Sequence, residues 1–81
     1  MVSAVVLINV QRGQVNETAQ SLLEIDGVAE VYSVSGEYDL VAIVRVQKYD
    51  EMAEVVPRRI AAMPGIVRTH TLMTFQHYES Q

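Results

Sequence analysis

The chain has 81 residues, no cysteine and a formal net charge of −4. Disulfides, thiol nucleophiles and thiolate metal sites are therefore excluded, and nucleic acid or an anionic membrane would be repelled as a direct partner. One small domain spanning 1–81 is all this length holds. A chain of this size buries only about 60–65% of its unfolded surface, yet 49% of the residues are hydrophobic. That excess points to association with copies of itself.

The first element is the apolar run Ser3 to Val10, a strand in expectation. The apolar N-terminus, Met1 to Val10, is too short to span a bilayer and carries no cationic region or small-residue cleavage site, so a soluble, cytoplasmic protein is the default reading. Val15, Ala19, Leu22 and Leu23 then recur at i, i+4, i+7 and i+8, the stripe of an amphipathic helix. Asp26-Gly27 ends it, and Val28 opens a second strand. Next comes Ser35-Gly36-Glu37-Tyr38-Asp39, in which Gly36-Glu37 is read as a two-residue hairpin turn leading straight into the strand Leu40 to Val46. Asp50 is the expected N-cap of a second helix whose stripe is Met52, Val56, Ile60 and Met63. Pro57 falls inside it and should kink it or cost one hydrogen bond. Pro64-Gly65 stops the helix, and a last strand carries Thr69-His70-Thr71.

The two halves repeat. Residues 22–36 overlay 60–74, placing Leu22 on Ile60, Ile25 on Met63, Gly27 on Gly65 and Val28 on Ile66. The order βαββαβ with two right-handed crossovers predicts an α+β, ferredoxin-like fold: a four-stranded antiparallel sheet with both helices on one face. Ala4 to Ile8 and Leu40 to Val44 are apolar without alternation, so both faces of those strands need cover. The helices cover one; a second subunit over the other gives a dimer of the paired-sheet, α/β-barrel-like kind.

Tyr38 and Asp39 stand out because a turn needs the glycine but not that pair. Both also suit hairpin flanks, as packing and as turn stabiliser. In a functional role, Asp39 would receive an ammonium group while turn N–H groups hold a carboxylate, the two demands of a zwitterionic amino acid. Thr69 and Thr71 share one face of the last strand and His70 the other. Threonine is common in strands, and the pair bears on a ligand only if it converges with Asp39. His70 and His77 are seven apart, which on one strand sets them on opposite faces, so no metal site is expected. Arg58, Arg59 and Arg68 read as a solvated or inter-subunit face. No cofactor motif or catalytic constellation is present in the sequence.

Taken together, Val34-Ser35-Gly36-Glu37-Tyr38-Asp39-Leu40, the Met63-Pro64-Gly65-Ile66 helix exit and Thr69-x-Thr71 resemble the C-terminal effector-binding domain of the Lrp/AsnC family, also called the regulator of amino-acid metabolism domain. The resemblance covers essentially the whole chain. It implies dimers that assemble into larger rings, octamer-like in type, with amino-acid effectors in clefts between dimers. It implicates Gly36, Tyr38 and Asp39 as ligand-binding residues, Glu37 as the variable position that tunes ligand choice, and Thr69 and Thr71 as hydroxyl contacts. The family's regulators carry a helix-turn-helix domain ahead of this one. The chain here starts at the effector domain, so the expectation is a stand-alone sensor that binds no operator itself and acts alone or by co-assembly with full-length Lrp/AsnC regulators. The alternatives are a small dimeric ferredoxin-like enzyme of monooxygenase or isomerase type, with Tyr38, His70 or His77 as acid–base groups, and a structural oligomeriser that has lost its ligand.

Overall fold

The computed structural model describes residues 1–80. Strands β1 (Val2–Val10), β2 (Val28–Ser33), β3 (Leu40–Val46) and β4 (Ile66–Met73) form one antiparallel sheet in the order β2-β3-β1-β4. Helix α1 (Val15–Leu22) links β1 to β2, and α2 (Tyr49–Ala53), running on as a wide helical segment Glu54–Ile60, links β3 to β4. This is the expected ferredoxin-like βαββαβ arrangement. It has two central strands, β1 and β3, and two edge strands, β2 and β4.

Strand periodicity decides which residues meet the helices. Ala4, Val6 and Ile8 on β1, and Leu40, Ala42 and Val44 on β3, are fully buried. They pack with Leu22 from α1 and with Met52, Val55 and Ile60 from the second helix. The alternate residues Val5, Leu7, Val41 and Ile43 are only half-buried and form the open face. The internal repeat is real in three dimensions. Leu22 and Ile60 are both fully buried, and each is followed by a turn closed by an i to i+3 hydrogen bond, Val28 N–H to the Ile25 carbonyl and Ile66 N–H to that of Met63. Gly65 holds φ +93, as the third position of such a turn requires. A Cβ there would lie 2.6 Å from Gln14 Oε1 and 3.1 Å from Thr18 Oγ1.

The helices depart from the expected stripes. Leu23, just past the end of α1 at Leu22, is exposed, and Thr18 is buried instead. The second helix is capped at Lys48, not Asp50. The Glu51 carboxylate accepts from the N–H groups of Gln47 and Lys48 at 3.0 and 2.9 Å, while the Glu51 N–H donates to the Lys48 carbonyl. Around Pro57 the helix departs from α-helical geometry. From Glu54 the turns widen to π-helical geometry, as in the i to i+5 bond from Ala61 N–H to the Val56 carbonyl at 2.9 Å. A wider turn accommodates a ring that would collide with the carbonyl four residues back in an α-helix. The changed register buries Val55 and leaves Val56 half-covered.

Candidate functional site: the loop between β2 and β3

The connection between β2 and β3 is a six-residue loop, 34–39, and not the two-residue hairpin that Gly36-Glu37 suggests. The reason lies in the neighbouring strand. The Asp39 N–H donates to the Ile8 carbonyl at 2.9 Å, and the Asp39 Oδ2 accepts from the Val10 N–H at 2.9 Å. Asn9 Nδ2 donates to the Glu37 carbonyl at 2.8 Å. These three bonds draw the loop sideways onto the end of β1, so the β2–β3 ladder stops at Ser33 and Leu40. Val34 N–H to the Asp39 carbonyl closes the loop's base at 3.0 Å. Gly36, at φ +113 with nothing near its Cβ position, is there for the backbone conformation alone.

Two residues outside the predicted site hold this loop, Arg68 among them although its expected place is a solvated or inter-subunit face. Asn9 is one. Arg68 is the other, its Nε and Nη2 donating to Asn9 Oδ1 at 3.3 and 3.1 Å. The sequence signal for Asn9 was a polar side chain near the end of an otherwise apolar strand. Arg68 had no such signal, because only the β1–β4 register sets it opposite Asn9.

The six predicted site residues fall into two groups. Gly36, Glu37, Tyr38 and Asp39 share the loop, with Tyr38 and Asp39 half-buried. Among the described residues no cation lies within ion-pair distance of Asp39, whose one donor is the Val10 N–H. The N–H groups of Gly36, Glu37 and Tyr38 likewise meet no protein acceptor. The loop thus offers a carboxylate with spare acceptor capacity beside several unengaged donors. Thr69 and Thr71 lie elsewhere, on β4, opposite Ile8 and Val6 and on the helix-facing side. β1 separates them from the loop, and two strand spacings amount to about 10 Å. Within one chain they do not converge with Asp39.

Tyr38 instead meets His70, ring centroids 6.4 Å apart with planes at 66°, an edge-to-face contact. His77 lies past the end of β4, paired with Glu79 at 2.9 Å, and so shares no strand with His70. The space between helices and sheet, where the enzyme alternative needs a pocket, is filled by fully buried side chains such as Ile8, Leu22, Leu40 and Ile60. No helix is long and apolar enough to cross a membrane among the described residues, nor do three or more His, Asp or Glu side chains there cluster as a metal would require.

Comparison with known proteins defines the class. Residues 3–81 match the Lrp/AsnC ligand binding domain, and the chain belongs to that family. Over 76 residues it is 30% identical to the HTH-type transcriptional regulator FL11 of Pyrococcus abyssi, covering 94% of this chain and 50% of the relative. The chain spans about half the length of the curated relatives it matches. Among solved structures, TTHA0845 from Thermus thermophilus superposes with a TM-score of 0.90 at 41% identity, covering 99% of this chain and all of that one. The feast or famine regulatory protein of M. tuberculosis, solved in complex with L-methionine, superposes with a TM-score of 0.81 at 27% identity, covering 99% of this chain and 54% of that one. The curated relatives are transcriptional regulators, and the domain is the regulatory, ligand-binding part of that family, not an enzyme.

Proposed function

We propose that this chain is an oligomeric sensor of a small zwitterionic effector, an amino acid, held at the 34–39 loop. The supporting observation is Asp39, a half-buried carboxylate with no cation partner, beside the unengaged N–H groups of Gly36, Glu37 and Tyr38. Asp39 receives the effector's ammonium group and the loop N–H groups its carboxylate, each a charge-assisted hydrogen bond. Glu37, exposed at the loop tip, tunes which side chain is accepted. The L-methionine in the M. tuberculosis relative supports this ligand class.

Thr69 and Thr71 stand about 10 Å from Asp39 across β1, so they reach the effector only if a neighbouring subunit supplies them. The site therefore goes with assembly. The open sheet face carries Val5, Leu7, Val41, Ile43 and Leu72, an apolar surface suited to a second copy. Dimers formed through it then build an octamer-like ring, with effector clefts between dimers, in which a full-length regulator of the family can also take part. Effector bound between subunits shifts the assembly equilibrium by its difference in affinity for the two states.

Titration calorimetry across the amino acids, with L-methionine among them, tests the reading. Saturable binding that Asp39→Asn weakens supports it. A wild-type chain that binds none of them, in its oligomeric form, refutes it.

A further inference from the structure

The chain contains a single phenylalanine, and it is the most exposed of the large hydrophobic residues, at 99%, with Tyr78 close behind at 86%. Both lie on the segment after β4. That segment is fastened at its root, since the Thr74 N–H and Oγ1 both donate to the Ser3 carbonyl, at 3.2 and 3.0 Å. Between Thr74–His77 and the open face of the sheet runs a cleft of about 460 Å³ floored by Val5 and Ile43. Phe75 is thus held in water beside Val5 and Ile43, which it does not cover, at a cleft whose rim includes Arg45; Tyr78 is exposed three residues further along.

We propose that residues 74–80 are an arm by which each subunit clasps a second copy of this chain, Phe75 and Tyr78 settling on the partner's open sheet face. The inference rests on the dimer reading above and assigns it a part that the sheet alone does not supply. Four strands of six to nine residues, about 4.8 Å apart, give a face of roughly 500 Å², short of the roughly 800 Å² per partner of a standard interface. Two aromatic side chains of about 150–250 Å² each close that gap. The occupant is a second copy because one surface carries both the knob and the floor. A two-fold pairing needs that self-complementarity.

Because the chain has no tryptophan, Phe75→Trp places a unique fluorophore on the arm. Its emission should be blue-shifted and shielded from acrylamide where the protein is dimeric, and should move to that of hydrated indole on dilution to monomer. The double variant Phe75→Ala/Tyr78→Ala should raise the dimer dissociation constant by about 100-fold or more in sedimentation equilibrium, since four aromatic side chains leave the dimer. Its circular dichroism should stay that of the parent, as neither side chain packs within the subunit. A hydrated emission in a chain that is dimeric, or an unchanged dissociation constant, overturns the clasp while leaving the dimer standing. A wild-type chain that stays monomeric at all concentrations overturns the dimer, and the clasp with it.

Discussion

Asp39→Ala should cost the fold stability even in the absence of any effector. The carboxylate accepts the Val10 N–H at 2.9 Å in a part-buried position. Val10 lies where the β1–β4 register shifts, between Asn9 and Val10, so the ladder offers no obvious replacement acceptor. Hydrogen bonds to charged groups contribute about 1.5–3 kcal/mol, and an orphaned donor costs the same order. Partial water access argues for the lower half of that range, about 2 kcal/mol. In a domain this small each kcal/mol moves Tm by about 4–8 °C, so the variant should melt roughly 8–16 °C below the wild type. Calorimetry must be run at one protein concentration, because assembly also shifts Tm. Asp39→Asn keeps an oxygen that can accept the Val10 N–H and should lose less than half as much, while still lacking the charge proposed for the ammonium group. Hydrogen exchange should show the Val10 amide losing protection in the alanine variant alone. An Asp39→Ala chain that melts with the wild type would refute the account of why the loop lies against β1.

Asn9→Ala should loosen the loop without unfolding the domain: its bonds are exposed, so the stability loss is about 1 kcal/mol or less, while amide exchange at 36–38 accelerates. Gly65→Ala combines φ +93 with a Cβ placed 2.6 Å from Gln14 Oε1 and should destabilise by about 2 kcal/mol or more, read by urea unfolding. Gly36→Ala, with empty space around it, should cost only the conformational part, about 1–2 kcal/mol. Tyr32 donates to Glu30 at 3.0 Å, and that hydrogen bond together with the Glu30 charge raises its pKa above 10. A neutral phenol favoured by the fold contributes stability that is fully present below pH 10 and lost as pH rises through the folded-state pKa. Ultraviolet titration should therefore show Tyr32 ionising above pH 10, and Glu30→Gln should lower its pKa toward the ordinary phenol value.

Much of this was legible in the chain itself. The repeat of Leu22, Ile25 and Gly27 in Ile60, Met63 and Gly65 marked both helix exits, and each lands where the overlay placed it. What misled was local optimism about turns and stripes. Gly36-Glu37 is chemically a sound two-residue turn. It loses to the three hydrogen bonds that Ile8, Asn9 and Val10 make with the loop, residues some thirty positions away in the chain. Val56 sits on an α-helical stripe in the sequence, but Pro57 widens the turns and delivers Val55 to the core. Thr69 and Thr71 share a face, as alternation demands. That the face is the helix side of an edge strand, with β1 between it and Asp39, depends on strand order.

Element order, the two doubly apolar strands β1 and β3, and the family of the domain follow from the sequence alone. They depend on periods of two and about four residues and on where glycine permits the chain to turn. Tertiary structure decided the rest: that the loop is six residues long, that Asn9 and Arg68 hold it, that Tyr38 meets His70, and that the sole phenylalanine faces water. Each is a contact between residues far apart in the chain, set by strand pairing and register, which no local window of sequence contains.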